Sequence, residues 1–136
     1  MVQETILILD DSNINREILG KLLTNLGYSV LSAANGEEGF SCIEKCKKEN
    51  LNLVAVISDM LMPLVDGPTF VLRLREDERY ENLPVLFMTS ATDKSFLLEA
   101  KKLKAAGFIL KPIHAQNVSM QLQQLFPQRN FPKTGS

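Results

Sequence analysis

No stretch of the chain is long and apolar enough to cross a membrane, neither sign of charge is in excess, and histidine and cysteine are scarce. Each shortage closes off a class of function. The apolar runs among the 136 residues break after a few positions, far below the roughly 20 that a bilayer demands, so no membrane contact is expected. Fifteen Lys and Arg against 16 Asp and Glu leave a formal charge of −1, and 45% of the residues are hydrophobic, a composition that folds rather than staying disordered. Lacking a strongly basic surface or a DNA-reading motif, the chain is not expected to bind nucleic acid directly. The polar start Met1-Val2-Gln3-Glu4-Thr5 does not resemble a secretory signal, which makes the cytoplasm the expected location. Two cysteines, Cys42 and Cys46, and one histidine, His114, are too few for a thiolate or imidazole metal site. Four apart on one helix face, the cysteines read as half-buried thiols, ill placed for a disulfide. The seven glycines form no phosphate-cradling loop after the first strand, which argues against a flavin or nucleotide module.

What is present is a rhythm. A chain of this length makes one domain with a sizeable core. Short runs rich in branched residues (Thr5 to Leu9, Tyr28 to Leu31, Leu53 to Ile57, Val85 to Met88, Phe108 to Leu110) alternate with amphipathic stretches. Three of these runs lack polar alternation, as strands covered on both faces require. Ile14, Ile18, Leu22 and Leu26 recur every four residues, with Leu19 and Leu23 beside them, and predict a first helix. Asn35 and Glu38 form a capping box for a second, burying Phe40, Ile43 and Cys46. A third follows Asp66-Gly67-Pro68; a fourth is predicted from about Asp93 to Ala106, stopping at Gly107, and a fifth from Ala115 to Phe126. Five strand-helix repeats imply an α/β fold, a doubly wound parallel sheet with helices on both faces.

The near-zero net charge conceals two unlike parts. Residues 1–90 carry 8 basic and 14 acidic side chains, a balance of −6, whereas residues 91–136 carry 7 and 2, a balance of +5. Lys94, Lys101, Lys102 and Lys104 fall in the predicted fourth helix, a solvated face that is also suited to an acidic partner.

In a doubly wound sheet, ligands sit beyond the carboxyl ends of the strands. Strand one ends in Asp10-Asp11, strand three in Asp59, strand four in Thr89-Ser90 and strand five in Lys111-Pro112. Singly, each has a structural explanation: an Asp can cap a helix, a Thr can close a turn. Jointly, three carboxylates and one ammonium converging on one sheet edge leave −2 for a divalent cation to neutralise. Hard oxygen ligands favour Mg²⁺, and a cation plus a lysine beside a carboxylate is what phosphoryl transfer needs.

These pieces, in order and register, resemble the receiver domains of two-component response regulators: Ile6 to Ser12, Asp59 to Gly67, Pro84 to Thr89, and Phe108 to Pro112. The resemblance covers residues 1–126 and implies a flavodoxin-like five-stranded sheet in the order 2-1-3-4-5. It implies that Asp59 is the phosphoacceptor and that Asp10, Asp11, Asp59 and the backbone carbonyl of Leu61 hold Mg²⁺, Asp10 mainly through water. Thr89 and Lys111 would bind the phosphoryl group, across a cis Lys111–Pro112 bond. Thr89 and Phe108 would form the switch that remodels the face of helix four, strand five and helix five; the Phe108 ring has no hydroxyl to offer a partner there. The implied role is that of a phosphoacceptor switch assisting its own phosphorylation and dephosphorylation, not of an enzyme.

The same resemblance implies as partner a sensor histidine kinase or a histidine phosphotransfer protein, and Asn13, Asn15 and Arg16 are similar to receivers of phosphorelays. A monomer or a phosphorylation-dependent dimer is expected. Two departures bear on lifetime: Leu61 and Ala91, two past Asp59 and Thr89, are apolar and unable to orient water, which predicts a long-lived phosphoryl state. Residues 127–136 read as a C-terminal tail or truncated linker, with a possible output domain beyond Ser136. The competing reading is a metal-dependent aspartyl-phosphate phosphatase or phosphomutase with Asp59 as nucleophile; such enzymes carry an acid/base Asp where Leu61 stands.

Overall fold

The computed structural model describes residues 3–90 and 94–129. Ten main elements alternate along it: β1 (Glu4–Leu9), α1 (Asn13–Asn25), β2 (Ser29–Ala33), α2 (Gly36–Glu49), β3 (Asn52–Asp59), α3 (Gly67–Leu74), β4 (Val85–Thr89), α4 (Lys94–Lys102), β5 (Gly107–Leu110) and α5 (Ala115–Leu125). A short 3-10 turn at Glu78–Tyr80 precedes β4. All four strand pairings are parallel, in the order β2-β1-β3-β4-β5. The expected doubly wound α/β sheet is therefore the observed one.

The unbroken apolar strands serve two cores at once. Along β1, Leu7 and Leu9 face α2 and α3 with Phe70, Val71, Ile43 and Cys46, while Ile6 and Ile8 face α1 and α5 with Leu19, Leu23, Val118 and Leu122. A strand's side chains alternate between its faces, so a strand covered on both must be apolar throughout. Ile6 to Leu9 of β1, Leu53 to Ile57 of β3 and Val85 to Met88 of β4 obey this; the edge strands β2 and β5 keep exposed positions.

The helices start where capping chemistry predicts. Asn35 Oδ1 accepts from the Glu38 N–H at 2.9 Å, and the Glu38 carboxylate reaches back to the Ala34 N–H at 3.0 Å. Asp66 accepts from the Thr69 N–H at 2.8 Å and opens α3, with Pro68 in the first turn. Both thiols are free, Cys46 buried and Cys42 half-buried, and burial pushes both up.

Three expectations need correction. Ile14 and Ile18 are 69% and 41% exposed; α1 seats Leu19, Leu23 and Leu26 on the sheet instead. Phe40 is only half-buried, packed at 4.7 Å against Phe70. Helix α4 ends at Lys102, short of Ala106: Lys104 takes the left-handed conformation (φ 59°), and the Ala105 N–H bonds back to Ala100 O. The Ala106 N–H then donates to Val85 O at 2.8 Å, drawing the chain into the sheet, so Gly107 begins β5 rather than ending a helix. Lys104 thus lies beyond the helix that carries Lys101 and Lys102. Asp93, where that helix was expected to begin, lies outside the described residues.

Two arginines tie loops to the frame. Arg75 Nε donates to Leu103 O at 3.0 Å, and its Nη1 to Leu83 O at 2.9 Å and Glu81 O at 3.1 Å, joining the ends of α3 and α4 to the approach to β4. Arg129, past α5, pairs with Glu4 and lies 4.0 Å over the Tyr28 ring.

Candidate functional site

The strands that lead to Asp10, Asp59 and Thr89 are buried over their last residues, which aligns these polar groups at one edge; β5, which leads to Lys111, ends on exposed Leu110. Leu9 is fully buried and the next residue, Asp10, is too; Asp59 ends β3 with 8% exposure, and Thr89 ends β4 with 6%. Asp11, next in the chain, is exposed. One carboxylate oxygen from each of Asp10, Asp11 and Asp59 can be chosen so that all lie within 4.8 Å of one another. Lys111, immediately after β5, places Nζ 2.9 Å from Asp59 Oδ2 and 3.3 Å from Asp10 Oδ2. The Lys111–Pro112 bond is cis, and the Lys111 N–H donates to Thr89 O at 2.9 Å.

The first turn of α1 completes the Asp10 environment. Oδ1 accepts from the Ser12 N–H at 2.9 Å and Oδ2 from Asn15 Nδ2 at 3.2 Å. Arg16 Nη1 donates to the Asp10 main-chain carbonyl at 2.6 Å, and Nη2 reaches Asn13 Oδ1. Buried polar oxygens need donors, and the side chain of Asp10 has three: the Ser12 N–H, Asn15 Nδ2 and Lys111 Nζ.

Three acids facing one base leave the pocket overcharged. Burial pushes the Asp59 carboxyl above its ordinary value; the Lys111 hydrogen bond and charge pull it down, Asp10 and Asp11 push it up, and the net direction is up. For Lys111, burial opposes the ammonium, yet the hydrogen bond to Asp59 and the charges of Asp59 and Asp10 prevail, so it lies above its ordinary value. A lone ion pair would lower its acid; the rise at Asp59 reflects burial that one ammonium does not offset.

That imbalance is the test for a metal. A hard divalent cation fits a set of carboxylate oxygens held this close, carrying excess negative charge and no sulfur or nitrogen donor among them.

The loop after β3 is pressed onto Asp59. The Gly67 N–H donates to Met60 O at 3.1 Å, and a Cβ on Gly67 would lie 2.2 Å from Asp59 O and 2.9 Å from Ser58 Oγ. Leu61, in this loop, is 60% exposed. On β4 and β5, Phe87 pairs with Phe108 and Thr89 with Leu110, so Thr89 and half-buried Phe108 share one sheet face. Ala91, two past Thr89, is outside the described residues.

Asp10, Asp11, Asp59, Thr89 and Lys111 thus lie together at the carboxyl edge of the sheet, Leu61 is in the loop beyond β3, and Phe108 lies within β5. Sequence reasoning missed two contributors: the contact of Asn15 with Asp10 and the contact of Gly67 with Asp59. The Asn13-Asn15-Arg16 pattern was visible, but not that its amide and guanidinium serve Asp10.

The family model of the response regulator receiver domain matches residues 6–123. Chemotaxis protein CheV3 of Helicobacter pylori is 34% identical over 111 residues, which cover 78% of this chain and 36% of that one. Chemotaxis protein CheY of Pseudomonas aeruginosa is 29% identical over 125 residues, covering 92% of this chain and 98% of that protein. The structure of chemotaxis protein CheY4 of Vibrio cholerae superposes with a TM-score of 0.80 at 30% identity, over 90% of this chain and 98% of that one. The chain therefore spans about a third of one such relative and nearly all of another.

Proposed function

The chain belongs to the response regulator receiver domain family, and from that premise we propose that it accepts a phosphoryl group on Asp59 in a Mg²⁺-dependent reaction. The observation that carries this reading is the Lys111 ammonium held between Asp59 and Asp10 beside a third carboxylate. Asp11, Asp59 and the Leu61 carbonyl would hold Mg²⁺ directly and Asp10 through water; when bound it offsets the charge of carboxylate and phosphoryl oxygens. A carboxylate oxygen of Asp59 bonds to phosphorus as the P–N bond of a partner phosphohistidine breaks, the electron pair leaving with the imidazole nitrogen. Lys111 receives the phosphoryl oxygens, and the Thr89 hydroxyl donates to them.

The added charge, about −1.5 to −2 in place of one carboxylate, draws Thr89 and Lys111 toward the phosphoryl group and frees space for Phe108 on the same sheet face. The readout surface is the α4–β5–α5 face, where Leu98, Leu110 and Met120 are each more than half exposed and Lys101 and Lys102 add positive charge. We take residues 1–126 as the receiver unit and 127–136 as tail or linker, acting in the cytoplasm with a histidine kinase or phosphotransfer protein and any output domain beyond Ser136, as a monomer or a phosphorylation-dependent dimer. The phosphatase or phosphomutase alternative is not favoured, because apolar Leu61 stands where its acid/base would be needed.

The test is incubation with acetyl phosphate and Mg²⁺ followed by intact-mass measurement. The wild type gains one phosphoryl mass, a chelator prevents it, and Asp59→Asn gains nothing. No gain by the wild type, or equal gain by the variant, rejects the proposal, and multiple turnover of a phosphomonoester would favour the phosphatase instead. The apolar Leu61 bears on lifetime: Leu61→Asn is expected to shorten the phosphoryl half-life several-fold, since one hydrogen bond to an attacking water is worth roughly 1 kcal/mol. Radiolabel decay checks this, and equal or slower decay in the variant contradicts it.

A further inference from the structure

Asn15 has no part in the reaction just described, yet its side chain is directed at a fully buried carboxylate of the site. Asp10 Oδ2 has two donors, Asn15 Nδ2 at 3.2 Å and Lys111 Nζ at 3.3 Å, while Oδ1 is taken by the Ser12 N–H. Lys111 is also bonded to Asp59 at 2.9 Å. If Lys111 turns toward an incoming phosphoryl group, it gives up part of its hold on Asp10. An orphaned oxygen on a buried carboxylate is costly, and that cost would add to the barrier. We propose that Asn15 is a positioning residue for phosphorylation: its amide keeps Asp10 Oδ2 satisfied, so that Lys111 is released to the phosphoryl oxygens.

Two further contacts make Asn15 a fixed donor rather than a chance neighbour. Its own N–H is bound by the Ser12 cap at 3.2 Å, and Arg16, next in the chain, grips the Asp10 carbonyl at 2.6 Å, so the first turn of α1 is locked to Asp10 from both sides. The inference rests on the phosphoacceptor reading and goes beyond it by assigning a role to a residue that touches neither Asp59 nor the phosphoryl group.

The test separates metal binding from transfer. Asn15→Leu keeps the approximate shape without the donor, and Asn15→Ala guards against a packing fault. Mg²⁺ binding is measured by calorimetry, and phosphorylation by acetyl phosphate at saturating Mg²⁺, where Asp59 forms its bond to phosphorus as acetate leaves with the electron pair. In both variants the Mg²⁺ dissociation constant is expected to stay within about threefold of wild type or to tighten, because Asp10 remains in place and loses a competing donor. The saturating rate is expected to fall about tenfold, the loss of one charge-assisted hydrogen bond. An unchanged rate overturns the inference, as does a rate loss matched by an equal loss of Mg²⁺ affinity, which would mean that the pocket had merely collapsed. If the wild type itself takes no phosphoryl group, it is the underlying reading that fails, and the variants are not needed to show it.

Discussion

Asp59→Asn is expected to make the metal-free protein more stable, even though it removes the proposed phosphoacceptor. Asp59 is 8% exposed and faces Asp10 and Asp11 with Lys111 as its sole contacting cation among the described residues. Its carboxyl lies above the ordinary value, chiefly through burial. A carboxyl raised by folding binds its proton more tightly in the folded state, so stability is greatest below the ordinary carboxyl value. It is lost as pH rises through the window between that value and the raised folded one, and is then level. The amide has no such slope. In the absence of Mg²⁺, the variant should therefore match the wild type at acid pH and exceed it by about 1–2 kcal/mol near neutrality, toward the lower end of what an uncompensated buried charge costs. Thermal midpoints recorded against pH in chelator measure this directly. A variant less stable than wild type at neutral pH, or a gap that does not widen with pH, would refute it. Saturating Mg²⁺ should close the gap by stabilising the wild type, since a ligand that binds only the folded state adds to its stability.

The carboxylate cluster was legible in the sequence because of its contrast with what precedes it. Asp10, Thr89 and Lys111 each follow a run of apolar residues, and Asp59 follows one with only Ser58 between; a strand paired into the sheet delivers its last residue to the sheet edge whatever the helices do. The capping box at Asn35 and Glu38 was legible for a similar reason, being a local exchange of hydrogen bonds. The α1 stripe misleads because a strict four-residue repeat drifts about 40° per step on a helix of 3.6 residues per turn, so Ile14 and Leu26 cannot share a face. Leu19, Leu23 and Leu26 can, and they are the buried ones. The end of α4 was illegible because the residue that stops it, Lys104, is not one that favours the left-handed region; the Val85 carbonyl, far back in sequence, fixes where the strand must begin. The use of Asn15 is not legible in the sequence, since nothing in its spacing shows that an amide five residues past Asp10 folds back onto that carboxylate.

Gly67 and Gly20 show what only three dimensions can separate, and the same substitution at each is expected to act in opposite directions. Gly20 lies inside α1, and a Cβ built there meets nothing within 4 Å. Gly20→Ala should therefore stabilise by about 0.5–1 kcal/mol, the ordinary preference of a helix interior for alanine. At Gly67 the added carbon would sit 2.2 Å from the Asp59 carbonyl, a backbone atom that cannot turn aside as a flexible side chain would. Relief requires α3 to retreat or Asp59 to move. The first breaks the packing of Phe70 and Val71, both fully buried, and costs about 3 kcal/mol, the upper range for overpacking a core. The second shifts the carboxylate away from Lys111, and a displacement of about 1 Å in a reacting group can lower its rate by roughly a hundredfold. Urea unfolding of both variants, with phosphorylation measured at a temperature where each is folded, distinguishes the two responses. Either outcome makes Gly67 the residue that sets how closely the loop before α3 can press on Asp59. A Gly67→Ala protein within about 1 kcal/mol of wild type and phosphorylated at the wild-type rate would show that this closeness is unnecessary.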